Sequence, residues 1–179
     1  HLEGILFDEV AADWGVGVEE MICRVMAEES LTCGFRGTPP TSVKVWRQVE
    51  EDVMELMSRP DYMVGSDSIP VGGMPHPRAY GCFVRVLGRL RRRYNYPVEQ
   101  VVQRLTQNPA ERFGLTDRGV IAEGKFADLV IFDAERVIDR SSFEDPQVHP
   151  EGVPWVLVNG QIAVENEAVT GVLAGEAIP

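Results

Sequence analysis

The chain has 179 residues, a formal net charge of −11 and a sequence pI of about 4.7. This acidic balance argues against the two classes of protein that need a basic surface, namely nucleic-acid binders and proteins that bind anionic membranes. Hydrophobic residues make up 44% of the chain, and no run approaches the ~20 apolar residues of a membrane span, so the composition is that of a soluble globular protein.

Cysteine and histidine usage limits the kinds of site that the chain can build. Its three cysteines include no Cys-x-x-Cys pair, so neither a disulfide framework nor a closed zinc site is predicted. Reduced thiols and the absence of a signal-peptide pattern favour a cytoplasmic location. The three histidines, His1, His76 and His149, are widely separated. No metal ligand is therefore assigned within this chain.

The first 110 or so residues are predicted to be helical with one strand. Apolar residues between Val18 and Met26 follow the spacing of a helix face. Glycines and prolines in the segment 31–40 predict a loop. A second helix, capped by Thr41 or Ser42, is expected to bury a face that runs from Trp46 to Met57.

The segment that follows Pro60 carries the predicted strand. Residues Tyr62 to Gly65 form a short apolar run, which predicts a buried strand. A third helix is predicted around Phe83 to Leu90, and its basic run Arg89–Arg93 is interpreted as a solvated face. Pro97 is placed in the first turn of a further helix, which Asn108-Pro109 breaks or restarts.

From Gly119 onward the pattern changes to that of strands. Residues 127–133 include a long apolar run that predicts a strand. Two further apolar runs, 155–158 and 161–164, flank Asn159-Gly160. Because Asn-Gly suits both positive-φ positions of a type I′ turn, these runs predict a β-hairpin.

Gly65-Ser66-Asp67-Ser68 is the first candidate for chemistry. A lone carboxylate that follows a buried strand and opens a loop can accept a proton from water or hold a metal, because catalytic residues of α/β barrels lie at strand ends. The alternative is that Asp67 only caps a helix or forms a turn. The tetrapeptide alone favours the turn.

Pro75-His76-Pro77-Arg78 is the second candidate. Arg78 opens a helix and offers a planar fork of donors suited to a carboxylate ligand. A cation in a first helical turn opposes the helix dipole, so Arg78 needs a counter-anion or another reason to be there. For His76 an acid/base role, a supporting role and simple loop packing all stay open.

Several longer strings resemble the C-terminal part of N-acyl-D-amino-acid deacylases, which are D-aminoacylases of the amidohydrolase superfamily. The resemblance covers roughly residues 60 to 173. The strings that carry it are GSDS, PHPRAYGCFVRVLGR, LTQNPAERFGLTDRGVIAEGKFADLVIFD, FEDP and VPWVLVNGQIAV.

The resemblance implies a fold and two site residues. The fold would be α/β, the C-terminal fragment of a TIM-type barrel in residues 1–115 followed by strands of a small β-sandwich in residues 116–179. Asp67 would be the general base that takes a proton from a metal-bound water and hands it to the leaving amine. Arg78 would hold the carboxylate of the N-acyl-D-amino acid. His76 and Ser66 would support the site without touching the substrate.

The resemblance also implies zinc, but the family's zinc ligands lie upstream: a His-x-His, a cysteine and two later histidines. None of these can be placed in this chain. We therefore interpret the chain as the C-terminal part of a longer zinc-dependent deacylase or as a truncated paralogue. By itself it is expected to bind no zinc tightly and to be inactive. It is also expected to associate with itself or with the missing N-terminal part, because a cut barrel exposes a strand edge and an apolar helix face.

Two other functions remain open at the level of the sequence. The chain could be a non-catalytic binding or assembly module that keeps the amidohydrolase C-terminal fold. Retention of both Asp67 and Arg78 speaks against this, since a scaffold needs neither. A hydantoinase-like ring opening is the third possibility, and the HPRAYG string with Arg78 speaks against it.

Overall fold

The N-terminal helices form a small unit with a core of its own. A computed structural model of the chain describes residues 2–30, 33, 42–69 and 74–178. Helices α1 (Phe7–Trp14) and α2 (Val18–Glu28) are joined through Gly15, whose left-handed φ of 65° ends α1. Val10, Ala11 and Met21 are buried between them. The predicted helix over Val18–Met26 is confirmed, whereas the predicted loop at 31–40 lies outside the described residues.

Helix α3 (Val43–Ser58) buries only one part of its apolar face. The Ser42 Oγ accepts a hydrogen bond from the Val45 N–H at 3.3 Å, so the predicted cap is confirmed for Ser42, while Thr41 lies outside the described residues. Met57 is fully buried. Trp46 and Val49 remain almost half exposed, so the N-terminal half of the face is uncovered.

The prediction of a buried strand at Tyr62–Gly65 is wrong. No ladder forms there, and the four strands of the described chain all lie after residue 128. A strand needs a neighbour to pair with. Here the Val64 N–H instead donates to the Arg104 carbonyl at 3.3 Å, and the Asn108 side chain donates to the Tyr62 carbonyl at 2.8 Å. Tyr62 and Val64 are only half-buried, and they pack against the main core.

The main core lies where α3 meets the helices that follow residue 77. These are α4 (Arg78–Arg85), a π-helical turn (Val86–Leu90), α5 (Arg91–Arg93), α6 (Val98–Leu105) and α7 (Gln107–Arg112). Met57, Val101 and Val137 are completely buried together. The helix predicted after Pro97 is confirmed as α6. At Asn108-Pro109 a break or a restart was predicted, and the structure shows a restart, because α7 begins at Gln107.

A four-stranded antiparallel sheet follows, in the order β1 (Leu129–Ile131), β2 (Trp155–Val158), β3 (Gln161–Glu165) and β4 (Ala168–Val169). The predicted hairpin is confirmed, with Asn159 and Gly160 both at positive φ, 48° and 77°. The first strand is shorter than predicted. Strands β1 and β4 are the two edges of this sheet.

The interpretation of Arg89–Arg93 as a solvated face holds for Arg89 and Arg93, whose side chains are 43% and 59% exposed, and is wrong for Arg91. Arg89 is paired with Asp139, Arg91 and Arg92 donate to the Ala134 carbonyl, and Arg93 is paired with Glu50. The side chain of Arg91 is only 11% exposed. Arg89, Arg91 and Arg92 therefore bind the helical part to the segment that follows β1, and Arg93 binds α3.

Two further features of the structure concern the cysteines and the length of the helices. Cys23 is exposed and Cys33 and Cys82 are half-buried, and each is a free thiol, so the cysteines are less buried than core thiols usually are. Among the described residues, no helix has the length and apolar character needed to cross a membrane.

Candidate functional site

Asp67 and Arg78 lie next to each other at the N-terminus of α4. Arg78 Nη2 is 3.4 Å from Asp67 Oδ2, and the two side chains are 41% and 92% exposed. Asp67 therefore provides the counter-anion that a cation in a first helical turn requires. Both groups remain open to a ligand that approaches from solvent.

The pair does little for the stability of the fold. Exposed ion pairs contribute about 0–1 kcal/mol. Asp67 also has a φ of 47°, a left-handed conformation that side chains other than glycine seldom adopt. Aspartate tolerates it better than most residues, but the conformation still favours glycine. An exposed pair on an unfavourable backbone is more typical of a functional site than of a structural one.

The loop around Asp67 is held by its neighbours. The Ser68 N–H donates to Ser66 Oγ at 3.4 Å, and the two hydroxyls lie 3.3 Å apart. The Cys82 thiol, on α4, donates to the Gly65 carbonyl at 3.8 Å. Burial raises the pKa of the Cys82 thiol, which argues for a packing group rather than a nucleophile. The side chain of Ser66 thus forms its hydrogen bonds with Ser68, within the turn.

The side chain of His76 caps the N-terminus of α4. Its Nδ1 accepts a hydrogen bond from the Arg78 N–H at 3.1 Å, which satisfies one of the free donors of the first turn. The imidazole meets the Phe143 ring edge-on with centroids 5.0 Å apart. Desolvation by burial lowers the pKa of His76, and the charge of Arg78 lowers it further. The ring is therefore neutral near pH 7 and acts as an acceptor.

The lowered pKa of His76 predicts a pH dependence of stability. Since the folded-state pKa lies below the unfolded value, the contribution of the neutral ring is present above the unfolded pKa and is lost as pH falls through the folded one. We expect His76→Asn, whose amide oxygen can still accept from the Arg78 N–H, to lose less unfolding free energy between about pH 7.5 and about pH 5 than the unmodified chain. Urea unfolding at several pH values measures this, with His149→Asn as the control. Parallel pH profiles for the unmodified chain and His76→Asn would contradict the prediction.

The described residues do not by themselves form a zinc site. Within 2–30, 33, 42–69 and 74–178, no three His, Cys, Asp or Glu side chains come together as a metal would require. Asp67 is paired with a guanidinium, which is a ligand for carboxylates rather than part of a metal donor set.

Sequence reasoning missed the residues that reach α4 from far along the chain. Asp139 pairs with Arg85 and Arg89, and the Ser141 Oγ donates to the Pro77 carbonyl at 3.0 Å. The FEDP string lies in this segment. The signal that could have been read is Gly81 and Gly88, seven residues apart on a helix, since paired glycines mark a close backbone approach.

A cleft of about 720 Å³ opens elsewhere, between α3 and the helices after residue 84. Trp46, Glu50 and Arg93 are among the residues that line it, and neither Asp67 nor Arg78 is one of them. The cleft is a part of the uncovered α3 face rather than of the Asp67–Arg78 site.

Comparison with known proteins identifies relatives across almost the whole chain. The model of the family described as "Amidohydrolase family" matches residues 23–164. A D-aminoacylase of Alcaligenes xylosoxydans xylosoxydans is 35% identical over 179 residues, which is 99% of this chain and 34% of the relative.

Solved structures agree with these matches. A crystal structure of D-aminoacylase aligns over 97% of this chain and 34% of its own, with 33% identity and a TM-score of 0.75. The N-acyl-D-glutamate deacylase of Bordetella bronchiseptica, solved with zinc and a phosphonate mimic of the tetrahedral intermediate, covers 88% of this chain and 31% of its own, with 34% identity and a TM-score of 0.67. The chain spans about a third of the length of these relatives. By its sequence and its fold, the chain belongs to the amidohydrolase family.

Proposed function

We propose that this chain is the part of a zinc-dependent amidohydrolase that supplies Asp67 and Arg78 to the hydrolysis of N-acyl-D-amino acids. The observation that carries the proposal is the pair itself: a carboxylate and a guanidinium 3.4 Å apart, both accessible, at the N-terminus of α4. Similarity to D-aminoacylase and to N-acyl-D-glutamate deacylase over most of the chain supports the substrate class.

Arg78 would hold the carboxylate of the substrate. Its guanidinium has five N–H donors, and Asp67 lies beside only one of its ends, so a second carboxylate can approach the remaining donors. The bidentate geometry of an arginine–carboxylate pair would fix the amino-acid half of the substrate and so orient its amide bond.

Asp67 would transfer a proton from the attacking water to the leaving amine. Water adds to the carbonyl carbon of the amide as Asp67 accepts a proton from that water. The C–N bond then breaks and the same proton passes to the amine nitrogen, so that a carboxylate and a D-amino acid are released. An exposed carboxylate on a loop held by Ser66 and Cys82 is free to make both transfers.

Zinc belongs to this proposal only as a cofactor of the whole protein, with ligands outside the 179 residues. The Bordetella relative was solved with zinc. We further propose that residues 1–115 are the last α/β units of a TIM-type barrel and that residues 116–179 belong to a small β-sandwich. The change from helices to strands between Arg112 and Leu129 supports this division.

Two uncovered apolar surfaces support pairing with the rest of such a protein. Trp46 and Val49 on α3 are 48% and 46% exposed. On the sheet, Val130 and Ile131 of edge strand β1 are 55% and 56% exposed. Contiguous exposed apolar groups and an open strand edge are typical of surfaces that another part of the protein covers.

The same surfaces predict that the 179-residue chain self-associates when it is produced alone. We expect sedimentation at micromolar concentration to show dimers or larger species, because burial of Trp46 and its neighbours from water is favourable. The double variant Trp46→Lys with Val49→Lys should shift the distribution toward monomer. Ile121→Lys, at a loop position that is 91% exposed, is the matched control and should not. A clean monomer for the unmodified chain would contradict the prediction.

The proposed function is tested with a protein that contains this chain together with its upstream region. We expect the zinc-loaded protein to release acetate from N-acetyl-D-amino acids and not from the L-enantiomers. The chain alone should neither bind stoichiometric zinc nor release acetate. If the longer protein takes up zinc and is inactive on all N-acyl-D-amino acids, the chain is better explained as a binding or assembly module. Acetate release by the 179 residues alone would overturn the proposal that the ligands lie elsewhere.

A further inference from the structure

A segment from the second half of the chain lies directly on α4 and on the π-helical turn. Gly81 and Gly88 make this approach possible. A Cβ atom at Gly81 would overlap the Ser141 Oγ, and one at Gly88 would overlap the Val137 carbonyl oxygen. Residues 137–141 therefore lie against the bare backbone of this helical stretch. We call residues 137–143 the crossing segment.

Asp139 is the anchor of the crossing segment. Its side chain is only 2% exposed, with Arg85 Nη1 3.0 Å from Oδ2 and Arg89 Nε 2.8 Å from Oδ1. Arg89 also donates from Nη2 to the Asp139 carbonyl at 3.1 Å. Oδ1 is in ion-pair contact without an aligned hydrogen bond. A buried carboxylate is tolerated only when cations are paired with it. The contact of the crossing segment with α4 therefore depends on the negative charge of Asp139.

The contacts continue from Asp139 to the turn in front of Arg78. The Ser141 Oγ donates to the carbonyl of Pro77, the residue directly before Arg78. Phe143 meets the ring of His76, whose Nδ1 accepts the Arg78 N–H. Further along, His149 meets Tyr80 edge-on at 5.5 Å. Pro77, His76 and Tyr80, at the start of α4, are thus each contacted by a residue between 141 and 149.

Within the described part of the chain, the main core contributes little to the first turn of α4. Gly81 is the buried residue of this helix, whereas the buried core residues of the neighbourhood, Val86 and Leu87, belong to the π-helical turn. The main core therefore holds the C-terminal end of this helical stretch. The position of its N-terminal end, where Arg78 faces Asp67, depends on the crossing segment.

We propose that Asp139 is a positioning residue for Arg78. Through Arg85 and Arg89 it seats the crossing segment on Gly81, and through Ser141 and Phe143 that segment sets where Arg78 presents its guanidinium to Asp67 and to a substrate carboxylate. The role assigned to Arg78 rests on the proposed function, whereas the mechanical dependence of Arg78 on Asp139 does not.

The dependence is tested in the 179-residue chain by NMR titration of its three histidines. In Asp139→Asn we expect the pKa of His76 to rise toward its ordinary value of 6.5, since the ring would lose the cover of Phe143 and the fixed position of Arg78. Glu151→Gln is the matched control, because it breaks the exposed Arg140–Glu151 pair on the neighbouring bridge. A His76 titration that is the same in both variants and in the unmodified chain would overturn the proposal.

Milder variants decide the question if Asp139→Asn does not fold. Ser141→Ala removes only the hydrogen bond to Pro77, and we expect the His76 pKa to move in the same direction by a smaller amount. Gly81→Ala should move it further, and the double variant Gly81→Ala with Ser141→Ala should move it less than Gly81→Ala alone, because the overlapping hydroxyl is gone. An unmoved His76 pKa in Ser141→Ala and in Gly81→Ala would likewise overturn the proposal.

Kinetics of the whole deacylase separate positioning from a merely structural role. If Asp139 positions Arg78, Asp139→Asn should raise KM by about tenfold or more, with kcat within about threefold, since binding of the carboxylate is what suffers. A structural role would lower the active fraction, and so kcat, at unchanged KM, and that result would overturn the proposal. Because the NMR result does not depend on activity, an inactive whole protein would contradict the proposed function without touching the dependence of Arg78 on Asp139.

Discussion

Asp67→Asn is expected to lower kcat of the proposed full-length deacylase by about 10²–10⁴-fold, the usual contribution of a positioned acid or base. Asparagine keeps the shape of the side chain and is at least as tolerant of the left-handed φ of 47° that the loop imposes. The substitution therefore removes the proton acceptor while it leaves the turn of Ser66 and Ser68 in place. Steady-state kinetics on an N-acetyl-D-amino acid measure the effect.

The control for Asp67→Asn is the same substitution in another exposed pair. Asp61 lies 3.3 Å from Arg59 with side chains 70% and 64% exposed, its ion pair is with Arg59 rather than Arg78, and Asp61→Asn should leave kcat unchanged. KM should change little in Asp67→Asn, because Arg78 is still present to bind the substrate carboxylate. A variant that keeps more than about a third of kcat and shows a raised KM would mean that Asp67 only orients Arg78.

The sequence was informative where structure is local. The hairpin was predictable because Asn159-Gly160 specifies its own turn, and the start of α3 because Ser42 needs only the Val45 N–H three residues on. Local motifs made Asp67 and Arg78 candidates, and the resemblance gave them roles, which remain predictions. Their proximity in the fold was not predicted and comes from the structure.

The errors came from interactions that span the chain. Tyr62–Gly65 has the composition of a strand, but a strand exists only when a partner pairs with it, and the Arg104 carbonyl takes that place. Arg89–Arg93 has the composition of a solvated face, yet its partners are Asp139, Ala134 and Glu50, each more than forty residues away. A periodicity rule that reads one segment at a time cannot include such partners.

The residues that support the site of Asp67 and Arg78 also come from far along the chain. Asp67 and Arg78 lie on a loop and a first helical turn, both of which have few buried atoms. The residues that hold this region, Asp139 and Ser141, lie beyond β1, in the part of the chain that the resemblance assigned to a β-sandwich. The strand-rich half is therefore in direct contact with the helix of the site.

Arg104→Leu is expected to lower the free energy of unfolding by about 1–3 kcal/mol. The guanidinium of Arg104 is 3% exposed and lies at the C-terminus of α3, where it donates to the carbonyls of Met57 at 3.0 Å, Ser58 at 3.4 Å and Arg59 at 3.0 Å. It acts as a cationic cap, which the helix dipole favours at this end.

The sign of the Arg104 effect follows from two opposing terms. Leucine removes the cost of burying a cation, which is favourable. It also leaves the Ser58 carbonyl without this donor, at about 1–3 kcal/mol where water cannot replace it. The Met57 carbonyl keeps the hydroxyl of Tyr96, and the Arg59 carbonyl keeps the Tyr62 N–H at 3.2 Å. The second term is larger because the cation already has five oxygen acceptors around it, the Gln100 carbonyl and the Gln103 side chain included.

Urea unfolding below the concentration of self-association measures the difference in stability between Arg104→Leu and the unmodified chain. Arg112→Leu, at an exposed position on α7, should stay within about 0.5 kcal/mol. Equal stability of the two variants would show that water caps α3 as well as Arg104 does, and that α3 is not fastened to α6 through this side chain.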